Sequence, residues 1–252
     1  MASNKTLLTY TLRQADDSMI LGQRLSEWCG HGPILEEDIA ITNIALDHVG
    51  QANNFYDYAA ELSGDGKTAD DFAYLRLEHE YTNLILVEQP NGHYGDTIAR
   101  QFLFDAFQKL YFEQLIHSKD EQLAAIAEKS LKETKYHVRH SSEWVIRMGD
   151  GTEVSHEKIQ TSINNLWKYT EELFYMDEVD EELIKEGIAV DLEKLREPWL
   201  AYVTEVLTQA TLTVPTISWK FAKGRKGIHS ENMGFLLTEM QYMQRAYPNM
   251  KW

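Results

Sequence analysis

The chain has 252 residues, with 24 Lys and Arg against 40 Asp and Glu, for a formal net charge of −16. So acidic a chain excludes a general nucleic-acid binder, which needs a cationic face, and a 43% hydrophobic content excludes a disordered acidic tail. The one cysteine, Cys29, excludes an intrachain disulfide and a Cys-based zinc cluster, and points to a reducing compartment.

The N-terminal stretch has no apolar run followed by a cleavage signature, and nowhere do 18 apolar residues follow one another. A cytoplasmic protein with no membrane segment is expected. Only 14 Gly and 5 Pro suit long helices rather than turn-rich sheets. The first helix is expected over 6–29, with Leu21, Leu25 and Trp28 on one face and Gly30-His31-Gly32-Pro33 as its stop. The second spans 35–63, with the stripe Ile41, Ala45, His48, Ala52, Phe55, Ala59 and Leu62, and Ser63-Gly64-Asp65-Gly66 closes it. A third covers 69–88 and ends before Gln89-Pro90-Asn91-Gly92. The fourth, 95–117, puts Ala99, Leu103, Ala106, Leu110 and Glu113 on one face. The fifth, 120–148, carries Ala127, Ser130, Thr134, His137, Ser141, Trp144 and Met148. Thr152 or Ser155 caps a sixth helix through Phe174, and shorter helices follow at 178–186, 191–213 and 230–246. No run keeps the two-residue alternation of a strand. Short Gly/Pro connections favour antiparallel neighbours. The expectation is all-α: an up-down bundle of long antiparallel helices with extra C-terminal helices, as one domain over 1–252.

Long bundles raise the question of a di-metal carboxylate centre. Such a centre takes a Glu from each of two helices and Glu-x-x-His from each of the other two, because residues i and i+3 share a face and reach the same metal pair. Three residues before His48, His79, His117, His137 and His140 stand Ala45, Arg76, Gln114, Thr134 and His137. Only Glu153-Val154-Ser155-His156 matches, and it lies at a helix start, where it reads as a cap. Two mid-helix polar groups remain: Asp47 with His48, and Glu133 with Thr134 and His137. They read either as a hydrogen-bonded polar layer in the core or as an altered metal site. The metal alternative would be a stand-alone di-metal oxidoreductase drawing on Glu27, Asp47, His48, Glu113, Glu133 and His137. The many aromatics (13 Tyr, 9 Phe, 6 Trp) suit either ordinary core packing or a large interface.

The segments RLSEWCGHGP, LVEQPNGHYGDTIARQF, KETKYHVRHSSEW, NLWKYTEELF, EGIAVD and EMQYMQRAYP resemble the PaaC family of ferritin-like proteins, the structural component of ring-1,2-phenylacetyl-CoA epoxidase. The resemblance runs over nearly the whole chain. The catalytic component of that complex is a relative with intact Glu-x-x-His motifs, one of them in a KEESFH-type run. Here the matching run is Lys132-Glu133-Thr134-Lys135-Tyr136-His137, so the histidine position is His137 and the ligand glutamate position is Thr134.

The resemblance implies a non-catalytic structural subunit with no metal or cofactor of its own. Its partner would be the di-iron catalytic subunit, with a reductase delivering electrons from NADPH and phenylacetyl-CoA bound near the interface. A homodimer is the alternative association when the chain is alone. The resemblance also places Glu80, Tyr81, Thr82 and Asn83, and Glu181, Glu182 and Leu183, beside the acyl-CoA. From the residues themselves, Lys220, Lys223, Arg225 and Lys226 form the most basic stretch of an acidic chain. It reads either as a contact for CoA phosphates or an acidic partner, or as a solvated loop.

Overall fold

The computed structural model describes residues 3–216, 223–248 and 250. Among the described residues there is no strand, and no helix is long and apolar enough to cross a membrane. The chain divides into two compact units, one formed by Met1–Gln89 with Lys223–Trp252 and the other by Pro90–Ala222.

The first unit is built on α1 (Asn4–Ser26) and α2 (Leu35–Ser63). Ser3 caps α1 by accepting from the Thr6 N–H at 3.1 Å. The two helices run antiparallel: Tyr56 donates to Asp16, while Gly22 lies against Ala45 and His48 further back along α2. The absence of a side chain at Gly22 lets α1 approach α2, because a Cβ there would stand 3.1 to 3.3 Å from its neighbours. The expected stripe on α2 is the buried one, except that Leu62 is half-exposed.

The third helix departs from expectation. α3 is only Ala69–Tyr74, closed by a Thr68–Asp71 capping box. A 3-10 turn at Glu78–Glu80 follows, and the chain then runs irregularly to Gln89. Tyr81, Asn83, Leu84, Ile85, Leu86, Val87 and Glu88 are each at most 1% exposed. Their apolar spacing resembles a helix face, but side chains here are buried in every direction. Charged side chains from α1 and from the C-terminal region take the place of the helical ladder. That region holds α9 (Glu231–Met240) and α10 (Tyr242–Ala246), where one helix over 230–246 was expected. At the break, the Gln241 side-chain amide donates to the Arg76 carbonyl (2.9 Å) and to the Tyr81 hydroxyl (2.7 Å).

The second unit is built on α4 (Tyr94–Leu115) and α5 (Glu121–Gly149), followed by α6 (Glu153–Trp167), a 3-10 turn Thr170–Phe174, α7 (Glu178–Glu186) and α8 (Glu193–Gln209). Tyr94 meets Trp144 edge-on at 5.2 Å and Asp105 meets Ser141, so α4 and α5 are antiparallel. The sixth helix is shorter than expected, its last turns tightening to 3-10 geometry. Thr152 and Ser155 do form its capping box, and His156 Nδ1 lies 2.7 Å from the Gly149 carbonyl oxygen. The Glu153–His156 pair is therefore part of a helix start. Phe107, Phe174, Trp167 and Trp199 stack into the aromatic core of this unit, and Trp199 donates its indole N–H to the Leu103 carbonyl at 3.1 Å.

The all-α expectation holds, and the two long antiparallel pairs, α1 with α2 and α4 with α5, are of the length and kind a ferritin-like helical fold uses.

Candidate functional site

In the first unit the polar chemistry gathers around the irregular segment 76–89. Asp16 and Asp17 are adjacent on α1 and both buried. Asp16 accepts from the Thr82 N–H (2.7 Å), the Thr82 hydroxyl (3.0 Å) and the Tyr56 hydroxyl (2.8 Å), and it pairs with Arg76. The Arg76 guanidinium lies 4.1 Å from the Tyr81 ring centroid, a cation over an aromatic face. Asp17 accepts from the Leu84 N–H (2.8 Å) and pairs with both terminal nitrogens of Arg225, at 3.1 and 2.7 Å. Burial lifts the Asp17 carboxyl above its ordinary value, against the opposing pull of Arg225. Arg225 also donates to the carbonyls of Thr82 (2.8 Å) and Arg13 (3.2 Å).

The far end of the segment is held the same way. Arg24 donates to the Glu88 carbonyl through Nε and Nη2 at 3.1 and 2.9 Å. The Glu88 carboxylate takes the Ser230 N–H (2.6 Å), the Asn83 amide (3.2 Å) and His229 Nδ1 (3.0 Å). His229 Nε2 lies 3.0 Å from the Tyr81 carbonyl oxygen. Both partners of this ring can accept, so the arrangement suits a ring protonated on both nitrogens. Burial by itself depresses its pKa. The Glu88 hydrogen bond and charge, with the Tyr81 carbonyl, outweigh that and raise it above the ordinary value. Gly227 lets this contact form: its φ is +69°, and a Cβ would collide with the His79 carbonyl. Chemically the cluster clamps backbone, each charge being spent on an opposite charge or a peptide group.

The second unit buries a different kind of polar layer. α4 contributes Gln101, Asp105 and Gln108, and α5 contributes Ser130, Thr134, His137 and Ser141, all buried. Asp105 accepts from the Gln101 amide (3.0 Å) and the Ser141 hydroxyl (2.8 Å). A ring nitrogen of His137 lies within 4.8 Å of an Asp105 carboxylate oxygen. Burial pushes the Asp105 carboxyl up to about 7, with His137, Ser141, Arg100 and Gln101 opposing the rise. The Thr134 hydroxyl donates back to the Ser130 carbonyl at 2.9 Å.

Among the other expected positions, Tyr81, Thr82 and Arg225 come together in the clamp, and Asn83 joins it through Glu88. Glu80 is exposed and accepts the Leu77 N–H at 2.6 Å. Lys223 and Lys226 are exposed, and Lys220 lies outside the described residues. On α7, Leu183 is buried while Glu181 and Glu182 face outward. Asp47 and Glu133 are not fully buried, and His48, Thr134 and His137 are. Glu27 pairs with Arg24 (2.8 Å) and Glu113 with Lys109 (3.5 Å).

Sequence reasoning missed Asp16, Asp17, Glu88 and His229 in the clamp, and Asp105 with its glutamine neighbours in the layer. A signal existed for Asp105: a lone acid inside IARQFLFDAFQKL, with glutamines four before and three after it on the same face. For the clamp the only local signal was the Asp-Asp pair on the inward side of α1.

Two comparisons bear on this chain. It matches the family described as phenylacetic acid catabolic protein over residues 1–252. It is also 51% identical over 246 residues, 98% of this chain and 99% of the relative, to the C subunit of 1,2-phenylacetyl-CoA epoxidase of Escherichia coli (strain K12).

Proposed function

We infer the role of this chain from the family to which it belongs, the phenylacetic acid catabolic proteins. It is the non-catalytic structural subunit of a multicomponent phenylacetyl-CoA 1,2-epoxidase of the cytoplasm, acting in aerobic phenylacetate degradation. It keeps a di-iron catalytic subunit folded and correctly shaped, and a separate reductase passes electrons from NADPH to that partner. The observation that carries this reading is the end-to-end 51% identity to a protein named as the C subunit of 1,2-phenylacetyl-CoA epoxidase.

The chemistry of the buried layer supports the division of labour. A dinuclear iron centre takes several anionic carboxylates together with imidazoles. The α4–α5 layer offers one carboxyl, Asp105, one imidazole, His137, and otherwise amides and hydroxyls. The Thr134 hydroxyl stands at the position matching a ligand glutamate, and it is turned onto its own helix. In the first unit, Asp16, Asp17 and Glu88 are already committed to Arg76, Arg225 and His229. Neither donor set, taken by itself, fits a pair of irons, so no oxygen-activating step is assigned to this chain. Any contact with acyl-CoA from Glu80–Asn83 falls to Glu80 and Thr82, since Tyr81 and Asn83 are fully buried.

The test is co-expression with the ferritin-like chain of the same genome that carries both Glu-x-x-His motifs. The expected result is one complex that survives high salt, with iron following the partner and substoichiometric iron in this chain when it is purified alone. Two irons bound by this chain alone, with oxidation of substrate, would overturn the reading. So would recovery of two separate species.

A further inference from the structure

α2 leaves one face uncovered, and its composition is not that of a solvated helix. Ile34, Leu35, Ile39 and Leu46 are 51%, 72%, 53% and 63% exposed. Leu35, Ile39 and Leu46 stand at i, i+4 and i+11, within about 40° of one another around the helix axis. Gly50 continues the face, and a Cβ there would meet nothing within 4 Å, so another backbone could approach closely. Single exposed apolar residues are ordinary, but three on one face of one helix, with Ile34 at its N-cap, mark a docking surface.

The rim decides what docks. From Leu35 to Ser63 there are six acids and no Lys or Arg. Glu36, Asp57 and Glu61 are the exposed ones: Glu36 flanks the apolar residues, and Asp57 and Glu61 lie about 10 and 16 Å beyond Gly50 along the same side. A second copy would bring the same patch against itself across a two-fold axis. With the two helices parallel, each exposed carboxylate meets its own copy, which is repulsive. The partner that matches is a different protein, presenting an amphipathic helix with an apolar stripe and a Lys/Arg rim.

The geometry points to the Leu35–Gly50 face of α2 as the surface on which this chain receives a basic-rimmed helix of its heterologous partner. The inference rests on the reading of the chain as a subunit, and takes that partner to be the di-iron protein. Apolar contacts then supply the persistence of the complex, and the opposed charges supply its rate of formation and its selectivity against self-pairing.

The probe is the ferritin-like chain with both Glu-x-x-His motifs, with binding measured against wild type and two variants. Leu35→Gln/Ile39→Gln/Leu46→Gln keeps good helix formers at exposed positions, so its unfolding midpoint should stay at the wild-type value. Its Kd should rise by about 100-fold or more, since exposed apolar anchors at the centre of an interface carry most of its affinity. Glu36→Lys/Asp57→Lys keeps the apolar stripe. It should slow association by about 10-fold and remove the salt dependence of the on-rate. Wild-type affinity in the triple variant would overturn the assignment. So would a homodimer of the wild-type chain that the triple variant converts to monomer. If the wild-type chain forms no complex with the probe, the subunit reading itself falls, and the assigned occupant with it.

Discussion

Around residues 76–89 the chain pairs buried charges, Asp16 with Arg76, Asp17 with Arg225 and Glu88 with His229, whereas between α4 and α5 it buries hydroxyls, amides, the His137 imidazole and an acid whose pKa burial raises to about 7, with the buried Arg100 of α4 donating to the Asn91 side chain. The difference follows the backbone. Two regular helices satisfy their own peptide groups, so the side chains buried between α4 and α5 bond chiefly to one another rather than to free peptide groups. From Tyr81 to Gln89 the chain has no ladder, and every residue but the half-buried Thr82 is buried. Charged donors and acceptors meet that need because charge-assisted hydrogen bonds are the strong ones, and each charge is then paired to offset its desolvation. Charge is spent where backbone regularity is missing.

The largest test of this contrast is Arg225→Ala. It leaves Asp17 buried and unpaired and the Thr82 carbonyl without its donor, and it should cost about 3–5 kcal/mol in urea unfolding. Next is His229→Gln, which keeps a donor but removes the cation facing Glu88. The expected loss is about 1.5–3 kcal/mol near pH 6. Because the folded pKa of His229 is raised, its contribution is complete below about 6.5 and is lost as pH rises through the raised value. The variant should therefore approach wild type in alkaline solution, and a gap that widens there would refute the imidazolium assignment.

Asp105→Asn probes the other interior. The native carboxyl, at about 7, keeps its proton where the unfolded chain, at 3.8, has lost it. The contribution of Asp105 to stability should therefore fall by about 1.4 kcal/mol per pH unit between about pH 4 and 7. The variant should flatten that slope, which pH-resolved chemical denaturation reads directly. The smallest effect is Thr134→Val. Its hydroxyl serves only the local backbone and a distant glutamine at 3.5 Å, so the change should stay within about 1 kcal/mol and leave the iron content of the complex unchanged.

Much of the fold was legible in the sequence. α2 and α7 begin and end where periodicity and turn residues put them, because Gly64 and Gly187 adopt the left-handed conformation that stops a helix. The Thr152 cap was legible for the same local reason. The stretch 75–88 was not. Its apolar spacing fits a helix, and the groups that unwind it, Asp16, Asp17, Arg225 and His229, are more than 60 or 140 residues away in the chain. Asp105 was hidden differently. α4 is buried nearly all round from Gly95 to Gln108, so no polar face exists against which an inward acid would stand out.

What the amino-acid string determined by itself was local: which stretches coil, where they stop, and that Thr134 stands three residues before His137 where a carboxylate ligand would be needed. Those properties depend on neighbours within one or two turns, and on side-chain chemistry that no folding alters. What tertiary structure decided was which charges meet and which stretch forgoes a helix. A buried peptide group accepts whichever donor the fold brings to it, and that donor can come from anywhere in the chain.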